Sequence, residues 1–257
     1  MNRDVKHRLK EAKLEIKKNP SDIKQRLLYF QLLSVSGKWK EVLAQLEIIS
    51  ELGSGEIAQT AMVYKPLPEC EINRESVFHG EKDPLILGKP EKWLGMLVKA
   101  NQLSSKSEHK AAATLRRKAY DESPAYAGII NGEEFSWIAD MDSRLGPVLE
   151  VIINGKYYWT SFANIKSIKI SPPADIRDLV WCPASFIWIN GGKAVGFIPS
   201  RYVDSSNTDD DDLKFAKKTI WNEEYKDFYC GLGQRMFTTN KSEYSLLDVR
   251  NVEFRRP

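Results

Sequence analysis

The stretch FSWIADMDSRLGPVLEVIINGKYYW, residues 135–159, decides how the chain is read. Asn154-Gly155 separates VLEVII from KYYW. Asn-Gly is the strongest two-residue hairpin signal, because both residues tolerate positive φ. A two-residue turn predicts Ile152 opposite Tyr157 and Glu150 opposite Trp159. Just upstream, Asp140, Asp142 and Glu150 gather around Arg144. Such a cluster is either a catalytic or metal-binding site, or the internal bracing of a binding protein.

Downstream of this stretch the chain keeps a β-strand grammar. VWCPASFIWI and AVGFIP flank Asn190-Gly191-Gly192, and QRMFTT and SLLDVRNVEF flank Asn240–Glu243, so two more hairpins are expected. IRDLVW and Leu213–Trp221 are expected to add short helices. The run Asp209–Asp212 reads as a solvated loop. It lacks the glycine and closing glutamate of a calcium loop.

Upstream the period changes. Val5, Leu9, Ala12 and Ile16 recur at helical spacing until Asn19-Pro20. Ser21 is the expected cap of a second helix, with Asp22 in its first turn. Gly37 ends that helix, and Trp39, Val42, Leu46 and Ile49 begin a third. This helix–Gly–aromatic–helix unit resembles a tetratricopeptide repeat, which must stack on neighbours to bury its apolar face. Further helices are expected over roughly 55–79, 90–103 and 105–122. The grammar switches near Ser123-Pro124. The predicted architecture is therefore a tetratricopeptide-like α-α superhelix (1–124) followed by a mostly antiparallel, β-rich α+β domain (125–257).

The chemistry of the acidic cluster narrows by residue type. The three histidines, His7, His79 and His109, all lie in the helical half. No Ser-His-Asp or Cys-His arrangement can therefore form within the second half. There is no Walker loop, GxGxxG or G-x-S-x-G. A carboxylate- or metal-dependent enzyme centred on residues 133–150 would have to use Glu133, Glu134, Asp140, Asp142 and Glu150. Against it stands a structural reading. Arg144, Arg177, Arg201, Arg235 and Arg250 can pair with those and neighbouring carboxylates over a core of aromatic residues. The cluster Asp140, Asp142, Arg144 and Glu150 then braces the β-rich domain, next to a peptide-binding surface at Tyr157, Tyr158 and Trp159.

Bulk properties agree with a binding protein. The 257 residues carry a net charge of only +3, too little to require a nucleic-acid partner. No apolar run is long enough for a membrane span, and the start has no secretory apolar region. Cys70, Cys182 and Cys230 form no CxxC pair and read as reduced cytoplasmic thiols, and no cofactor is expected. The N-terminus is locally basic, from Arg3 to Lys18.

The letters themselves carry a likeness. The opening stretch, followed by RDLVWCPA, INGG, IPSRY and GLGQRMFTT, resembles the ImpE family, also called SciE or TagJ. The resemblance covers about residues 3–254, including LLYFQLLSVSGKWKEVLAQL and KPEKWLGMLVKA in the helical half. Members are accessory proteins of bacterial type VI secretion systems. The resemblance implies a tetratricopeptide-like domain followed by an α+β domain. It also implies a cytoplasmic, non-enzymatic adaptor role, with the small sheath subunit and the ClpV unfoldase as partners and no catalytic residues to transfer.

Overall fold

The computed structural model describes residues 4–255, so Arg3 of the basic N-terminal run lies outside the described residues. The first half holds helices α1 (Val5–Lys18), α2 (Ile23–Val35), α3 (Trp39–Leu52), α4 (Glu56–Tyr64) and α5 (Leu67–Phe78). After the short strand β1 (Leu85–Ile86) come α6 (Lys92–Ser105) and α7 (His109–Glu122). The cap of α2 is Asp22, not Ser21: its carboxylate accepts from the amides of Lys24 and Gln25 at 3.0 and 3.1 Å. An aspartate at that position reaches two of the helix's orphan donors, so Ser21 is left one residue outside. Gly37 (φ +65°) closes α2, and Lys38 N–H donates to Leu33 O, the bond pattern that a left-handed residue at this position permits.

From Gly128 onward the chain is strand-rich. Strands β2 (Gly128–Ile130), β3 (Glu133–Phe135) and β4 (Ile138–Asp140) lead into β5 (Val148–Ile153) and β6 (Lys156–Ser161). Then follow β7 (Ile165–Ile170), β8 (Trp181–Trp188) and β9 (Lys193–Pro199). Helix α8 (Asp211–Lys214), β10 (Thr219–Tyr225), β11 (Phe228–Gly233), β12 (Met236–Thr239), β13 (Glu243–Ser245) and β14 (Asn251–Phe254) complete the fold. The Asn-Gly hairpin has the expected register, Ile152 opposite Tyr157 and Glu150 opposite Trp159, with Asn154 and Gly155 both at positive φ. The β8–β9 hairpin forms as well.

Three local readings are corrected. Residues 213–221 do not form a helix: α8 stops at Lys214, Ala216 takes φ +52°, and Thr219–Tyr225 pairs with β11. The β-branched and aromatic letters of TIWNEEY outweighed the helical spacing. The segment SLLDVRNVEF is divided: Ser245 ends the strand Glu243–Ser245 that pairs with β12, a 3₁₀ turn follows at Leu246–Asp248, and β14 joins the large sheet. The run Asp209–Asp212 is not only a loop, since Asp210 caps α8 and Asp211 accepts the Val5 amide at 2.7 Å.

The large sheet has nine strands in the order β1-β6-β5-β9-β8-β7-β14-β2-β3, and β4 joins β12 and β13 in a smaller one. Strand β5 sits between the two cores and is buried on both faces, so all six of its residues are inside. Val148, Ile152, Trp159 and Trp181 face a core shared with Leu33, Leu46, Leu67 and Leu97 of the helices. Leu149, Val151, Ile153 and Phe186 face a second core with Phe237 and Val252. The type of structure changes between Glu122 and Gly128, but the first core runs across that boundary.

Candidate functional site

Asp140 ends β4, and Asp142 sits in the turn that follows. The turn is self-specified: Asp142 N–H donates to Asp140 Oδ1, and Arg144 N–H donates to Asp142 Oδ1, both at 2.9 Å. Gly146, at φ +54°, returns the chain toward β5, and a Cβ there would lie 2.5 Å from the Tyr120 ring. Glycine is therefore required in this position for both backbone and space.

The carboxylates belong to two connected groups. Asp142 takes Arg144 Nε at 2.9 Å and Nη2 at 2.5 Å, and also accepts the Gly231 amide. Arg144 in turn lies over the Phe78 ring at 4.8 Å. Asp140 and Glu150 do not meet Arg144. They share Arg235, which donates one Nη to each carboxylate and its Nε to Pro199 O. Glu150 also takes Arg74 of α5 through Nε at 2.7 Å and Nη2 at 3.3 Å. Tyr157 O–H donates to Glu150 at 2.5 Å, and Trp159 Nε1 donates to the Tyr157 oxygen at 2.6 Å. Arg74 reaches Glu71 as well, and Glu71 accepts Trp181 Nε1 at 2.9 Å.

Arg201 extends this network into the helical layer. Its guanidinium donates to Ser34 O and Val35 O, the last carbonyls of α2, and to Lys214 O. A cation there satisfies orphan carbonyls at the negative end of the helix dipole. The backbone oxygen of Arg201 accepts from Arg74, so IPSRY and α5 are tied together.

Glu71, Asp140, Asp142 and Glu150 are matched with Arg74, Arg144, Arg201 and Arg235, four acidic side chains with four basic ones. Asp142, Glu150 and Arg235 are fully buried. Burial alone would raise Glu150, but Arg74 and Arg235 outweigh it and bring its carboxyl down to about 2. Burial pushes Asp140 up to about 7, because it has only a share of Arg235 and Asp142 adjoins it. Burial also lowers Arg201, to about 10, since its acceptors are carbonyls rather than a carboxylate.

Two parts of the sequence reading need correction. Tyr157 and Trp159 form no surface: both point into the helix-side core, with Trp159 fully buried 5.9 Å from Phe78. Tyr158, half-buried, lies on the opposite face against the second core. The carboxylates of residues 133–150 also do not gather into one site: Asp140 and Glu150 meet on Arg235, but Glu133 and Glu134 stand apart from them. Glu133 and Glu134 are exposed on β3 at the sheet edge, bonded to Tyr244 and Arg255. Glu150 lies on β5, six strand positions away, which is roughly 29 Å along the sheet at ordinary strand spacing. Two carboxylates acting on one glycosidic bond sit within about 10 Å. Among the described residues no group of three or more His, Cys, Asp or Glu is placed to hold a metal ion. A cleft of about 420 Å³ beside β4 touches Asp140, but that carboxylate's oxygens already accept from Arg235, Tyr202 and the Asp142 amide.

Arg74 and Glu71 were not among the candidates read from sequence. Their signal is present in LPECEINRESVF, where a glutamate and an arginine three apart share a helix face with Leu67, Cys70, Val77 and Phe78. Paired charges on the apolar side of a helix need a buried partner.

Residues 132–253 match the family described as ImpE protein. The type VI secretion system accessory component TagJ of Pseudomonas aeruginosa is 39% identical over 246 residues, covering 96% of this chain and 86% of that protein. The crystal structure of protein VPA1032 from Vibrio parahaemolyticus superposes with a TM-score of 0.89, covering 98% of this chain and 94% of the other at 22% identity, and shares the fold. With such identity along nearly its whole length, the chain belongs to the ImpE/TagJ family of type VI secretion accessory proteins.

Proposed function

We propose that this accessory protein is a non-enzymatic, cytoplasmic adaptor that binds the small sheath subunit and links it to the ClpV unfoldase while contracted sheath is recycled. The observation that carries the reading is the buried cluster of carboxylates paired with guanidinium groups around Arg235 and Arg74. Catalytic carboxylates need access to a substrate and to water. Here each is committed to a guanidinium inside the protein. What the cluster achieves is mechanical: Arg74 and Arg201 fasten α5 and the end of α2 onto the sheet. The two layers then move as one body, which suits a protein that presents a fixed surface to partners.

Calorimetric titration tests this. A synthetic peptide covering the N-terminal helix of the cognate small sheath subunit should bind saturably, with a Kd of about 1–10 μM. Mn²⁺ and Mg²⁺ should give no binding heat. A metal isotherm that disappears in Asp140→Asn, with no peptide binding, would overturn the adaptor reading. The bridging step is read by immobilised ClpV, which should retain the peptide only when the protein is present.

A further inference from the structure

The helical layer covers only part of the nine-stranded sheet. It lies over β6, β5 and the start of β8, where Trp159, Ile152 and Trp181 are buried. Past Trp181 on β8 and Phe197 on β9 the same face is bare. Alternation along β9 puts Lys193, Val195 and Phe197 on the helix side. The strand registers align Val195 with Ser185, Lys169 and Asn251 in one row across β9, β8, β7 and β14. All four are exposed, Val195 at 75%.

Where the helices stop there is a step. Val63 of α4 and Leu67 of α5 form its wall, and Pro183, Val195 and Phe197 form its floor, around a cleft of about 470 Å³. Val63 and its neighbour Met62 are exposed. An apolar wall and an apolar floor meet there in the open.

The topology selects the form of what fits. Strands β8, β7 and β14 are paired on both sides, and β9 runs past the end of β5 for only three residues, Lys193–Val195, an edge shorter than an ordinary added strand. A partner must pack face-on through side chains. The layer already present beside the gap is helical, and a helix laid against α4 would continue it. Charge selects the chemistry. Lys169 and Lys193 flank the apolar strip, and neither has an ion pair with another described residue.

We infer that this step is the docking site for an amphipathic helix of a protein partner, its apolar stripe set on Val63 and Val195 and its flanking carboxylates reaching Lys169 and Lys193. The inference rests on the adaptor reading and adds the location and the charge of the segment it captures. The apolar contact supplies affinity, and the lysines set orientation and salt dependence.

The test uses fluorescence anisotropy with the sheath-subunit peptide described above. Val195→Asp should weaken binding at least tenfold with an unchanged melting temperature, since the side chain is exposed. Lys169→Glu/Lys193→Glu should weaken it several-fold and flatten its dependence on salt. Lys6→Glu/Lys10→Glu, on the outer face of α1, should bind as the unaltered protein does. If the unaltered protein binds and the Val195 and lysine variants bind equally well, the location is wrong and the adaptor reading stands. If the unaltered protein does not bind the peptide, both fall.

Discussion

The residues from Asp140 to Glu150 and the run from Asp209 to Asp212 are both rich in carboxylates, and the structure treats them oppositely. In the first, three carboxylates spread over two strands and a turn are taken inside. In the second, four successive aspartates stay at the surface, where Asp210 and Asp212 meet Lys218 and Lys217 in solvated pairs. The difference lies in the arginines. Arg74, Arg144 and Arg235 come to the first group from α5, from the turn itself and from the residue just before β12, with forks that match carboxylate geometry. The second group meets flexible ammonium groups on one neighbouring segment. Density of charge in a sequence does not fix its role; convergence of distant guanidinium groups does.

Removing the shared cation should break the comparison most forcibly. Arg235→Met strands Asp140 and leaves Glu150 with Arg74 alone. Breaking a buried pair from one side costs about 3–5 kcal/mol. For a chain of this size that is a fall in melting temperature of roughly 10 °C. A scanning-calorimetry profile within two or three degrees of the unaltered protein would show that the cluster does not hold the layers together.

The two carboxylates on Arg235 should separate by pH. Glu150 is brought down from 4.5 to about 2, so it contributes stability above pH 4.5 that is lost as pH falls toward 2. That contribution is about 3 kcal/mol. Asp140 is raised from 3.8 to about 7, so the stability linked to its proton is full below pH 3.8 and is lost as pH rises through 7. Urea unfolding from pH 2 to 8 should show Glu150→Gln flattening the acid limb and Asp140→Asn flattening the decline between pH 4 and 7. The same flattening in both variants would contradict the unequal sharing of Arg235.

How much of this was legible follows from sequence distance. The Asn154-Gly155 hairpin and the Asp142 turn depend on residues within a few positions, so their letters suffice. Arg74 lies 76 residues from Glu150, and no local pattern links them. Tyr157 and Trp159 look like a binding surface until α5 is placed over that face of the sheet. The bare half of the sheet was invisible for the same reason, because strand letters do not say where a helical layer ends.

Arg144→Ala should do less than Arg235→Met. Asp142 would keep the backbone amides of residues 144 and 231 as donors, and only the guanidinium and its contact with Phe78 would go. A loss of about 2 kcal/mol is expected from one charged hydrogen-bonding group removed from a buried partner. A melting temperature unchanged in a soluble Arg144→Ala protein would remove Asp142 from the bracing.

The smallest effect belongs to the outer run, and it separates two adjacent aspartates. Asp212 is exposed and its contact with Lys217 is a solvated pair, so Asp212→Asn should leave the melting temperature where it was. Asp211 faces inward enough to accept the Val5 amide, one of the orphan donors at the start of α1. Asp211→Ala should therefore lower the melting temperature slightly and speed amide exchange in the first turn of α1, whereas Asp212→Asn should leave that exchange unchanged. Equal exchange in the two variants would mean that the four aspartates act as one solvated patch, and the contrast with the interior cluster would then be one of burial alone.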